Sequence, residues 1–250
     1  MNRFREIIFS AALLGVVLGS GQAHAQRNAL PADYPRSLEA DLEQLLGRLR
    51  GGSVSSGLLV QLASTYFDLA DDLLTNETKR RIAFEAGAQA AEQAFQLDDS
   101  NADAHFFYAA NLGSAERLRG IANAAMVVNK IKHCVLRAIE LNPRHAQALQ
   151  MMGGLLMELP WFLGGDEKQA QEYHERAVAA DGNFTKARIL VAKIYKKQGR
   201  VDDARRQLEA VVRTDAPHYP YAWERTYKPE AERMLSELAG GGTHSGVTGY

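Results

Sequence analysis

Four times along the chain a small or medium apolar residue returns inside the second of two helical runs: Ala94, Ala138, Ala177 and Val211, at intervals of 44, 39 and 34 residues. The last unit is the most regular. One helix carries Val191, Ala192 and Tyr195, the turn is Gln198-Gly199-Arg200, and the next helix carries Ala204, Leu208 and Val211. Small side chains at fixed places let two antiparallel helices approach closely, while larger apolar residues interdigitate with the following pair. A single pair cannot bury its own face, so the pattern calls for stacked neighbours.

The same spacing can be followed upstream. Leu59, Leu62, Ala63 and Tyr66 precede Gly87, Ala91 and Ala94; His105, Tyr108, Ala109 and Leu112 precede Ile131, Val135 and Ala138; Leu149, Met152, Gly153 and Leu156 precede Ala170, His174 and Ala177. Extra residues interrupt the first two pairs, at Asp71 to Arg81 with a helix start at Thr75-Asn76, and at Gly113 to Val128. Ahead of the repeats, Leu38, Leu42, Leu45, Leu46 and Leu49 lie at helical spacing behind Ser37, which reads as the cap of a capping helix. After them, Pro229 suits the first turn of a last helix ending near Leu238. No run alternates with the two-residue period of a strand for long enough to require a sheet, so the class is all-α.

The first 25 residues read as an export segment, with Arg3 and Arg5, an apolar run from Ile7 to Leu18 and Ala23-His24-Ala25 at the cut. This predicts a periplasmic or secreted protein after cleavage near Ala25, with no stable membrane span afterwards. The expected organisation is residues 1–25 as signal, 26–55 as lead-in and N-terminal cap, and 56–215 as the repeats. Residues 216–238 follow as a C-terminal cap, and 239–250 as a disordered Gly-rich tail. A formal net charge of −1 provides no broad field for nucleic acid. The lone Cys134, among Val135, Leu136 and Ile139, reads as buried and inert.

Across about 56 to 215 these residues resemble the tetratricopeptide-repeat superfamily. That resemblance implies a right-handed α-solenoid of about four such helix pairs, with inserted helical segments and capping helices. Four further features are the early insertions, Arg117-Leu118-Arg119-Gly120, Leu159 to Asp166, and Lys228-Pro229-Glu230-Ala231-Glu232. Together they resemble the subgroup that includes the TatT-like companions of solute transporters and the regulators of microtubule dynamics.

In this superfamily the first helix of each pair lines an inner groove. Carried over residue by residue, the resemblance places Phe106, Gln150, Lys186, Lys193 and Lys197 there as contacts for a protein or peptide partner. The lysines read equally as a solvated helix face. Trp161 and Phe162 beside Pro160 read either as aromatics packed under a neighbouring repeat or as walls of a ligand pocket. His105, His133, His145 and His174 form no metal-ligand pair, no nucleophile elbow is present, and neither a cofactor nor an enzymatic activity is expected. The leading expectation is a non-catalytic scaffold that holds a partner in its groove. The alternative is a TatT-like accessory of a solute-binding transport component that encloses a small apolar or acidic ligand.

Overall fold

The computed structural model of the protein describes residues 30–240. The export segment with its cut near Ala25, and the tail from residue 241 onward, lie outside the described residues. Every regular element among the described residues is helical, and the chain gathers into two compact units that divide between Leu141 and Asn142.

The first unit opens with α1 (Ser37–Arg50), which buries Leu38 and Leu45. Ser37 does not cap it. The turn before it is already helical at Arg36, so Ser37 lies inside the helix and its buried Oγ finds no partner. Helix α2 (Ser56–Asp68) is capped by Ser55 and runs into one wide π-helical turn, Leu69–Leu73. Asn76 then starts α3 (Glu77–Leu97) by accepting from the Lys79 amide at 3.0 Å, and Asn101 starts α4 (Ala102–Arg119) in the same way. Gly120, with φ of 123°, ends α4 and leads into α5 (Ile121–Leu141). Apart from residues 74–76 and Gly120, the inserted residues are thus helical, Asp71 to Leu73 in the π turn and the rest as extra turns of α3, α4 and α5, which reach 21, 18 and 21 residues.

Helix α4 is the centre of this unit. Every residue from Ala104 to Asn111 is buried, because α2, α3 and α5 all pack against it. Asn111 Nδ2 donates to the Ala63 carbonyl at 3.1 Å and to the Phe107 carbonyl at 2.9 Å, tying α4 to α2. Cys134 is buried on α5, and that burial pushes its thiol pKa up.

The second unit contains two helix pairs and a cap. The first pair is α6 (Ala146–Glu158) with α7 (Glu167–Ala180), and the second is α8 (Thr185–Lys197) with α9 (Val201–Arg213). A short turn α10 (Pro220–Ala222) and a π-helical turn at Trp223–Tyr227 lead into α11 (Lys228–Gly240). Ala231 and Met234 of α11 join Ile189, Ala192, Ala204, Leu208 and Val211 in one apolar cluster, and Trp223 Nε1 donates to the Val211 carbonyl at 2.7 Å. The last pair is thereby sealed. Ala94, Ala138, Ala177 and Val211 are all fully buried, as their common place in the repeat requires.

Within the first pair of this unit, Gly153 faces His174 so closely that a Cβ on Gly153 would stand 2.7 Å from the His174 ring. His174 is 1% exposed, and burial, aided by the charge of Lys186, lowers its pKa to about 4. It is therefore a neutral core residue at pH 7.

Two expectations follow from this packing. Ala204→Leu should cost about 1–3 kcal/mol through overpacking, and an unchanged thermal midpoint would show that the repeat register is wrong. The unfolded chain takes up a proton on His174 near pH 6.5, which the folded core refuses until about pH 4. The unfolded state binds more protons in that window, so stability is full above about pH 6.5 and falls as pH drops toward 4, by up to ~3 kcal/mol. The difference between the urea unfolding free energies at pH 7.5 and 4.5 should shrink by about that amount in His174→Leu relative to wild type. A variant with the full original pH dependence would refute the assignment.

Candidate functional site

Among the described residues no group of three or more His, Cys, Asp or Glu side chains could hold a metal ion, and no helix is long and apolar enough to cross a membrane. The histidines that the described contacts settle are structural. His105 stacks on Phe95 with ring centroids 4.9 Å apart, and His145 Nδ1 accepts from the Ala148 amide to cap α6. Two exposed features of the second unit are open to a partner, the turn between α6 and α7 and the lysine-bearing end of α8.

Pro160 stops α6, and the chain makes one 3-10 turn over Trp161–Leu163. The turn is locked from several directions. The amides of Leu163 and Gly165 both donate to the Pro160 carbonyl, at 2.9 and 3.0 Å, and the Asp166 amide donates to the Leu156 carbonyl at 3.0 Å. Gly164 takes φ of 88°, and a Cβ on Gly165 would stand 1.8 Å from the Leu159 carbonyl oxygen. Asp166 then caps α7, its Oδ1 accepting from the Lys168 and Gln169 amides at 2.9 Å, and those bonds hold its carboxyl below the usual range. With the backbone fixed in this way, Trp161, Phe162 and Leu163 all point outward, at 84%, 67% and 56% exposure. They neither pack under a neighbouring repeat nor wall an enclosed pocket: the two aromatics touch edge to face at 5.9 Å on a convex knob.

The end of α8 lies alongside. Lys197 Nζ donates to Glu167 at the start of α7 at 2.7 Å, Lys196 Nζ to Glu237 of α11 at 2.7 Å, and Lys193 Nζ lies 2.8 Å from Glu230 of α11. Arg233 also pairs with Glu237. Lys193, Lys196, Lys197, Arg233, Met234 and Glu237 together line a recess of about 510 Å³ between α8 and α11. The Lys196 ammonium, with Arg233, holds the Glu237 carboxyl below its ordinary pKa.

Lys193 and Lys197 thus come together in one recess. Lys186 and Gln150 are half-buried on α8 and α6. Phe106 is 7% exposed in the closed centre of the first unit, edge to face with Phe107 at 5.1 Å, and presents almost no surface. Sequence reasoning missed Leu163 as part of the knob and Arg233 and Glu237 as part of the recess. A signal for the latter was present, since Glu230, Arg233 and Glu237 recur at three and four residues on one helix face. Gly165→Ala should open the knob's turn and raise chymotryptic cleavage after Trp161 and Phe162 about tenfold, because cleavage then follows local opening. Gly154→Ala, whose added methyl meets only an ordinary contact with Gln150 at 3.7 Å, should leave the cleavage rate unchanged. Equal rates in the two variants would mean that the turn is not locked as described.

A family model described as regulator of microtubule dynamics protein 1-3 matches residues 33–160, and a tetratricopeptide-repeat model matches residues 162–224. Regulator of microtubule dynamics protein 1 of Bos taurus is 28% identical over 212 residues, covering 78% of this chain and 65% of its own length. The Mus musculus protein of the same name is 26% identical over 251 residues, covering 93% of this chain and 79% of its own. The chain therefore spans about two thirds of the bovine relative. A thermophilic TPR protein of Thermus thermophilus superposes with a TM-score of 0.55 at 14% identity, over 81% of this chain and 90% of that one, a likeness of fold alone. These relatives overturn the expectation of a periplasmic or secreted protein. They are named as regulators of microtubule dynamics from Bos taurus and Mus musculus, eukaryotic proteins at odds with a periplasmic or secreted address.

Proposed function

As the chain belongs to the regulator of microtubule dynamics protein 1-3 family, we propose that it is a non-catalytic helical-repeat scaffold that binds a protein partner through its second unit. The observation that carries this reading is the rigid knob of Trp161, Phe162 and Leu163. Three large apolar side chains held outward by a hydrogen-bonded turn cost hydration in the free protein, and a partner that buries them recovers that cost. Binding hot spots are enriched in Trp and surrounded by polar residues that exclude water, and Glu158, Glu167 and Lys168 stand exposed around this one. Because the turn is already ordered, the entropy lost on binding falls on the partner. Lys193 and Lys197, with Gln150 and Lys186 as polar contacts, extend the proposed surface. Phe106 takes no part.

Trp161→Ser/Phe162→Ser tests this reading by cross-linked capture and quantitative mass spectrometry, after circular dichroism establishes equal helix content and melting. Hot-spot truncation costs upward of about 2 kcal/mol, so at least one protein captured by wild type should fall about tenfold or more. Capture of the same proteins in the same amounts by both chains would overturn the proposal.

A further inference from the structure

We infer that the recess between α8 and α11 receives a carboxylate-rich segment of the partner, seated where Glu237 now lies against Lys196 and Arg233. This rests on the reading of the second unit as a partner-binding scaffold and identifies the partner's chemistry. Four cations from two helices, Lys193, Lys196, Lys197 and Arg233, converge on a recess of about 510 Å³ with buried Met234 as an apolar floor, and the three carboxylates of Glu230, Glu237 and Glu167 that pair with them leave the cations in excess by one. Glu237 shows that a carboxylate fits: Lys196 Nζ donates to its Oε2 at 2.7 Å while Arg233 pairs with its Oε1. An incoming carboxylate finds donors already aimed, at Lys196 and Arg233, and exchanges there with Glu237, while further carboxylates of the segment exchange with Glu230 at Lys193 and Glu167 at Lys197.

Two further observations favour an acidic peptide. Aromatic side chains bury about 150–250 Å² each, so the knob of Trp161, Phe162 and Leu163 falls short of the ~800 Å² per partner of a stable interface and needs a continuation. The Lys197–Glu167 pair supplies it, because Glu167 opens α7 only four residues after Leu163 and Lys197 lines the recess. A partner strand crossing from the knob would therefore meet the cations next. Nucleic acid fits less well. No aromatic ring lines the recess to stack a base.

The test uses fluorescein-labelled octaglutamate, octalysine and octathymidine, titrated against the purified chain and followed by anisotropy. Octaglutamate should bind, octalysine should not, and binding should weaken between 50 and 500 mM salt. Glu237→Gln removes the internal occupant and should tighten octaglutamate binding about threefold, on the scale of one exposed ion pair. Glu140→Gln makes the same change of net charge in the first unit and should leave it unaltered. Lys196→Glu/Arg233→Glu should weaken it about tenfold or more at unchanged helix content. Equal effects of Glu237→Gln and Glu140→Gln, no octaglutamate binding at 50 mM salt, or tighter binding of octathymidine would each overturn the inference. Failure here, with capture still dependent on Trp161 and Phe162, removes the acidic-segment inference alone; the reverse result removes the proposed function and leaves the recess.

Discussion

The close approach of helices at positions almost without side-chain volume is the constraint on which the rest of this structure depends. Gly87 of α3 leaves space for Asn111 of α4, where a Cβ would stand 2.3 Å from the amide oxygen, and Gly153 of α6 does the same for His174 of α7. Ala94, Ala138 and Ala177 occupy equivalent fully buried crossings. Each close contact brings a polar group into the core, and an unpartnered polar atom there is costly. Asn111 offsets that cost with two Nδ2 hydrogen bonds, although its Oδ1 has no partner. His174 leaves Nδ1 without a partner and remains neutral instead. A rigid pairing of this kind can present a fixed turn or a row of charges without reorganising.

What the sequence makes legible is what depends on neighbours close in the chain. The repeat spacing and the helix start at Asn76 follow from local stereochemistry, and each is present. Position relative to distant helices is another matter. Repeat register places Phe106 on the first helix of a pair, where an open groove would expose it. Helices α2, α3 and α5 all pack against α4, so the same position becomes core. Ser37 fails as a cap for a related reason, since the turn ahead of it had already begun the helix.

Trp161 and Phe162 illustrate the opposite error. Large aromatics are buried on average, and a turn next to a repeat looks like a place to pack them. Here the backbone decides. With Leu163 and Gly165 both bonded to the Pro160 carbonyl and Asp166 bonded to Leu156, the polypeptide closes beneath the side chains and leaves them no inward direction. The Leu159–Gly165 contact that forces this geometry depends on the absence of a single Cβ, which composition and periodicity do not register.

The exposed lysines of α8 form a charged, ion-paired face. Each exposed ammonium has a carboxylate from another helix: Glu230 for Lys193, Glu237 for Lys196 and Glu167 for Lys197. Such pairs are worth only ~0.2–1 kcal/mol and weaken further in salt, so they add little to the seal that Ala231 and Met234 make against α9. An interaction that contributes little to folding can be exchanged at little cost to the fold. The apolar contacts of α11 therefore hold the helix in place, while its carboxylates remain replaceable. That division of labour is what the proposed exchange of carboxylates at this face requires.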